Sequence, residues 1–182
     1  MPELSDEKIM LLVKEGHLSE LAELFERYHV KLFNFFLRLT MDRATSEDLT
    51  QNLFYRIIKY RQSWQPGNGS FRPWIYRMAR NVFIDYCKQA QKTPGRPGIR
   101  ESDAEDGGEG RVLHEEAYTQ DHYERLDRAM AQLEPEQREV LVLSRFQGLK
   151  YEEIARIREI SVPAIKVQVH RAIKRLRSLY FK

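Results

Sequence analysis

The chain has 182 residues, 31% of them charged, with a formal net charge of +3, which is enough length for one large buried core or two small ones. A single cysteine, Cys87, excludes an internal disulfide and a cysteine-rich zinc site, and the five histidines lack ligand spacing. No early apolar run resembles a signal peptide and no stretch nears the ~20 apolar residues of a membrane span, so a soluble cytoplasmic protein is expected, with no membrane insertion, metal or cofactor.

Charge is unevenly spread. Residues 1–55 carry net −4, 56–92 net +7, 93–124 net −6 and 125–182 net +6. Two basic blocks around an acidic one suggest two contacts with a polyanion and a middle that avoids or imitates it.

In chain order, Ser5 opens a short helix with Ile9, Leu12 and Val13 on one face, stopped at Gly16. From Leu18 to Thr40 the apolar residues Leu21, Leu24, Phe25, Tyr28, Leu32, Phe33, Phe36 and Leu39 keep helical spacing, so a long core helix is expected there. Ser46, followed by Glu47 and Asp48, is expected to start a helix running to about Tyr60. Leu49, Leu53, Phe54, Ile57 and Ile58 would face inward, and Asp48, Gln51, Asn52, Tyr55 and Arg56 would form a polar strip.

Trp64 to Ser70 holds one proline and two glycines and reads as a loop. Phe71 opens a further helix on which Trp74, Ile75, Met78, Val82 and Tyr86 alternate with Arg77, Arg80, Asn81 and Lys88. Planar and cationic residues beside a loop suit a single nucleic-acid strand, with bases held against rings and phosphates against arginines. Phe71 and Trp74 themselves are expected in the core. Thr93 to Glu116 is rich in glycine, proline and acid, and is read as a mobile linker.

Beyond the linker, Tyr123, Leu126, Ala129, Met130 and Leu133 mark one helix, and Glu136 to Phe146 another, ended at Gly148. Ile154, Ala155 and Ile157 then give a short helix its apolar face. Ser161 can cap a last helix with Pro163 in its first turn. Along that helix Ile165, Val169, Ala172, Ile173 and Leu176 form a buried stripe, with Lys166, Arg171, Lys174, Arg175 and Arg177 outside. Two helices joined by a capped turn, the second basic outside, read as a helix-turn-helix for a major groove.

The order of these features resembles a known family. Asp48, Gln51 and Phe54 resemble the D-x-x-Q-x-x-F signature of region 2 of bacterial sigma factors, and Phe71, Trp74, Arg77, Ala79, Asn81 and Asp85 that region's next motif. Leu133, Pro135, Arg138, Gly148, Tyr151 to Ala155, Ile160, Ser161, Val162, Lys166, His170, Arg171 and Ala172 resemble region 4. The length matches the small extracytoplasmic-function group.

The resemblance implies an all-α chain of two small helical domains: region 2 over 1–92, a flexible acidic linker over 93–120 and region 4 over 121–182. It implies a dissociable, non-enzymatic subunit whose partners are core RNA polymerase, through the largest-subunit clamp and the flap, promoter DNA, and an anti-sigma factor. The clamp would meet Asp48, Gln51, Asn52 and Phe54. The minus-ten strand would meet Asn68, Ser70, Arg77, Arg80, Asn81 and Lys88, and the minus-thirty-five duplex Ser161, Lys166, Gln168, His170 and Arg171. The chain departs from the pattern at Arg158-Glu159, where Leu-Gly is common, and at Val167 and Gln168, of which Gln168 can pair with adenine. The alternative is a two-domain regulator that binds duplex DNA without polymerase. An enzyme is disfavoured, for lack of a metal cluster, a phosphate loop, or a nucleophile with its base.

Overall fold

The computed structural model describes residues 4–66, 70–92 and 115–182, the side chains of the last span from Asp121 onward. Every regular element among them is helical. The first unit comprises α1 (Asp6–Glu15), α2 (Leu21–Thr40), α3 (Arg43–Tyr60) and α4 (Phe71–Lys92). The second comprises α5 (Glu115–Ala131), α6 (Pro135–Leu141), α7 (Tyr151–Arg158) and α8 (Val162–Tyr180).

Local chemistry sets the helix ends. Ser5 caps α1 by accepting the Lys8 amide, and Gly16 closes it at φ 109°. Met41 ends α2 in the left-handed region, and one residue later the Asp42 carboxylate accepts the Thr45 amide at 2.7 Å and starts α3. The start expected at Ser46 is thereby corrected: Ser46 is fully buried inside α3, its hydroxyl 2.6 Å from the Asp42 carbonyl and 2.8 Å from Thr40 Oγ1. Asp42 is the cap because the chain turns there: it is extended at φ −134° and ψ 121°, and its carboxylate satisfies an amide that a helix start leaves orphaned. The amide of Phe71 donates to Glu7 Oε1 at 3.0 Å, so α1 caps α4 across the unit.

The first core is aromatic, with Phe35, Phe36, Tyr76, Phe71 and Trp64 at most 1% exposed. At about 25 cal/mol per Å² of apolar surface, each such side chain is worth roughly 2–3 kcal/mol against solvent. The stripe expected on α2 is buried at Leu21, Leu24, Tyr28, Leu32, Phe36 and Leu39, but Phe25 is 41% exposed, stacked on His29, and Phe35 is buried in addition. Tyr123, one of the residues that mark α5, is exposed as well.

In the second unit Ile154, Ile157, Ile165, Val169 and Ala172 bury the facing sides of α7 and α8. The helix expected from Glu136 to Phe146 forms in two parts: after α6 the chain widens into one π-turn, Val142–Phe146, in which the Gln147 amide reaches back to the Val142 carbonyl at 2.9 Å. Gly148, at φ 62°, ends it. The linker expected over 93–116 falls mostly outside the described residues, and α5 already begins at Glu115.

The two units pack on each other. Helix α4 lies against α7, and α2 lies against α6 and the π-turn, so the buried side chains form one continuous cluster. The guanidinium of Arg38 covers the Phe146 ring at 3.8 Å and pairs with Asp127 at 3.3 Å.

Candidate nucleic-acid interface

Three surfaces carry the residues singled out from the sequence. On α3, spacing of three and four places Asp48, Gln51, Asn52 and Tyr55 on one exposed face, with Tyr55 63% exposed. Asn52 accepts the Arg56 Nε–H at 2.9 Å, and Arg56 pairs with Asp85 of α4 at 2.7 Å, which fixes one edge of the face. Asp85 is thus a brace between α3 and α4. Phe54 is not on this face: it is 7% exposed and packs on Phe25 at 4.8 Å between ring centres. Its spacing from Asp48 and Gln51 turns it inward.

The second surface is a groove of about 760 Å³ beside the loop before α4. Ser70, Arg77, Asn81 and Lys88 line it, with Trp64 and Trp74 among its walls and Arg56 and Arg156 adding charge. Arg77, Asn81 and Lys88 are exposed and recur at four and seven residues, hence along one side of α4. Trp74 is half-buried and packs on Phe71, which is wholly buried, so a ring remains available to the groove. Arg80 is not among the groove residues. It is turned toward the second unit, its Nε 2.6 Å from Glu139 Oε1. Asn68 lies outside the described residues.

The third surface is α8. Ser161, extended at φ −70° and ψ 152°, accepts the Ala164 amide at 3.4 Å, so its hydroxyl caps the helix. Lys166, His170 and Arg171 are exposed, as is Val167 at 48%. Gln168 is half-buried at the edge of the stripe, its Oε1 taken by Arg158 Nη1 at 2.6 Å.

Sequence reasoning did not foresee the contacts that join the units. Arg72 donates to the Gln147 carbonyl, Tyr76 Oη to Gln147 Oε1 at 2.6 Å, and Arg77 pairs with Glu159. Burial pushes the Tyr76 hydroxyl up to about 12, with Arg72 acting in the opposite sense. Among the described residues Glu159 is one of two non-glycine residues with positive φ, at 57°. That carboxylate at a glycine position was the signal available in the sequence.

A basic helix-turn-helix joined to a helical unit with a cationic, aromatic-walled groove defines a two-part, all-α nucleic-acid-binding protein. Family comparison agrees at both ends: the profile described as Sigma-70 region 2 matches residues 24–93, and that described as Sigma-70, region 4 matches residues 123–176. The RNA polymerase sigma factor CarQ of Myxococcus xanthus is 31% identical over 170 residues, covering 91% of this chain and 92% of the relative. The ECF RNA polymerase sigma factor SigM of Bacillus subtilis is 30% identical over 162 residues, covering 87% and 93%. Among solved structures, CnrH in complex with the cytosolic domain of CnrY has the same fold, with TM-score 0.72 at 20% identity over 96% of each chain. RpoE from Bartonella quintana, in complex with the anti-sigma factor NepR, gives TM-score 0.66 at 24% identity over 88% of this chain and 96% of that one. The chain belongs to the extracytoplasmic-function sigma factors of the sigma-70 family.

Proposed function

We propose that this protein binds core RNA polymerase and directs initiation at a particular set of promoters, as a specificity subunit without enzymatic activity of its own. The observation that carries this reading is the pairing, in one chain, of the groove along Arg77, Asn81 and Lys88 with the basic outer face of α8. A strand-capture site and a duplex-reading helix on one polypeptide are what opening a promoter needs. Unstacking a base costs a few kcal/mol, and a second weak site held nearby offsets that through effective concentration.

In this reading residues 1–92 form the polymerase and minus-ten unit, and 121–182 the minus-thirty-five unit. Asp48, Gln51 and Asn52 meet the polymerase clamp. Ser70, Arg77, Asn81 and Lys88 hold the minus-ten strand, and Lys166, His170 and Arg171 meet the minus-thirty-five duplex. An apolar groove between α5 and α8, lined by Tyr123, Leu126, Leu176 and Phe181, suits the polymerase flap. An anti-sigma factor is a proposed further partner, because the structures of similar fold are complexes with such proteins or with a cytosolic domain. Among the described residues no helix is long and apolar enough to cross a membrane, in keeping with action in the cytoplasm, where polymerase works. A regulator confined to duplex DNA would leave the groove on α4 without a use.

The test is reconstitution with bacterial core polymerase on a genomic promoter library, reading run-off transcripts and permanganate-reactive thymines. Wild type is expected to open a subset, Asn81→Ala to bind without melting, and Arg171→Ala to lose duplex docking. Duplex binding with no association with core polymerase would replace this reading by the regulator.

A further inference from the structure

The outer face of α8 carries one side chain that water does not favour. Val167 is 48% exposed, and among the described residues α8 shows no other aliphatic side chain to this extent. At 3.6 residues per turn, the two-residue steps from Val167 to Ile165 and to Val169 are each about 200°. Those two are 0% and 2% exposed, so Val167 points away from the core that they enter. Its neighbours at spacings of three and four are Pro163, His170 and Arg171, all exposed, with Lys166 beside it. Val167 is thus at the centre of the basic face, far from its apolar edges.

A valine gains little there in the free chain. A β-branched residue is a poorer helix former than the lysine, arginine or alanine that an exposed position accepts readily. Val167 sits in the first half of α8, the part of a recognition helix that meets base edges. The cations around it suit phosphates and guanine. The amide of Gln168, the next residue, has its oxygen held by Arg158 at 2.6 Å and is not free to accept from adenine. In the major groove the apolar group that a base pair presents is the 5-methyl of thymine. On this face of α8 the matching apolar group is Val167.

We propose that Val167 is a specificity-determining residue that selects thymine at one position of the duplex by contact with its 5-methyl group. The proposal rests on the reading of α8 as the duplex-reading helix and names a base that this helix prefers. Contact removes apolar surface from water on both partners, and a cytosine, with hydrogen in place of the methyl, offers no such gain. Phosphate contacts by the flanking cations position the helix, and Val167 makes the choice at one base pair. Val167 is also a position at which this chain departs from the sigma pattern, so the preference belongs to this chain.

The full chain, with and without core polymerase, is used to select from randomised duplexes, and the retained duplexes are sequenced. One position with a marked thymine preference is expected. Deoxyuridine at that position lacks the methyl alone and should weaken binding about fourfold, while 5-methylcytosine should bind better than cytosine there. Val167→Ala should bind the thymine and uracil duplexes alike, whereas Val167→Ile should keep the distinction. Both changes fall at an exposed position, so urea midpoints equal to wild type are expected. The absence of a thymine preference, equal binding of the two duplexes by wild type, or a ratio that survives intact in Val167→Ala overturns the proposal. A companion arm separates this from the underlying reading: Lys166→Ala combined with Arg171→Ala should weaken binding to every duplex. If that double variant is silent, the assignment of α8 falls; if it weakens binding while wild type treats thymine and uracil alike, the methyl contact alone falls.

Discussion

Arg158, 6% exposed at its side chain, donates from Nη1 to the Oε1 of Gln168 on α8 at 2.6 Å. Both residues are departures from the sigma pattern, and they meet each other. Arginine has no acceptor, so the oxygen of the Gln168 amide must face it and the amide N–H groups face outward. Pairing with adenine, expected for Gln168 from the sequence, needs that oxygen to accept from the base. What remains is a donor, fit for a phosphate or a guanine edge. Gln168→Ala is expected to weaken duplex binding by up to about tenfold, evenly across sequences, in a selection from randomised duplexes. Arg158→Met should release the oxygen and introduce an adenine preference. Strong adenine preference in wild type that disappears in Gln168→Ala would refute this.

Much of the architecture was legible because it follows from period and punctuation. Ser5, Gly16, Gly148 and Ser161 end or begin helices where their chemistry requires, and the apolar stripe of α8 is buried at Ile165, Val169 and Ala172. Less legible was anything decided by distant contacts. Phe35 and Phe25 sit on neighbouring sides of one amphipathic helix, and which is buried depends on how α3 and α4 approach. The start of α3 turned on Asp42, whose carboxylate takes the Thr45 amide and begins the helix ahead of the expected cap at Ser46. For the site, the row Arg77, Asn81, Lys88 could be read from spacing. The turning of Arg80 toward Glu139 could not, because that pair is separated by 59 residues.

Phe54 and its neighbours separate stability from docking. Phe54 is 7% exposed against Phe25, so Phe54→Ala should destabilise the first unit by about 3 kcal/mol through lost burial and the cavity left behind. Asp48→Ala and Gln51→Ala, on the exposed face, should change urea midpoints by less than about 0.5 kcal/mol equivalent while weakening association with core polymerase. Equal loss of stability in all three would remove the distinction between a packed residue and a docking strip.

The phenol of Tyr76 ties folding to alkaline pH. In an unfolded chain a tyrosine loses its proton near pH 10, whereas burial holds that of Tyr76 to about 12. Between those values the unfolded state is favoured, so stability present below about pH 10 declines as pH rises toward 12, by on the order of 2 kcal/mol for this residue. Tyr28 acts in the same direction, raised by burial and by its bond to Asp6 at 2.5 Å. Urea unfolding at pH 9 and pH 11 should show the decline, and Tyr76→Phe should lessen it while losing the bond to Gln147. A pH response identical in Tyr76→Phe would exclude this residue as a cause.

Arg138 is a buried cation that ties the two units together at the seam. It is 3% exposed, and burial lowers its affinity for the proton. Its hydrogen bonds run to backbone carbonyls: Met130 at 2.9 Å, Leu133 at 3.3 Å, Ala131, and Leu39 at 3.2 Å. The first three belong to the end of α5 and the residues just beyond it, and Leu39 to the last turn of α2. These carbonyls lie at or just beyond helix ends, where each helix presents the negative end of its dipole. One cation thus completes two helix ends from two units, which compensates for its own desolvation. Arg138→Met keeps much of the stem volume and removes every donor, so about 3 kcal/mol of stability should be lost in urea unfolding. Arg138→Lys should recover only part, since a single ammonium cannot span carbonyls placed for a guanidinium fork. The second consequence concerns the seam: with the Leu39 bond gone, Arg138→Met should also expand the chain in solution scattering below its unfolding midpoint. A methionine variant as stable and as compact as wild type would show that the cation holds neither helix end.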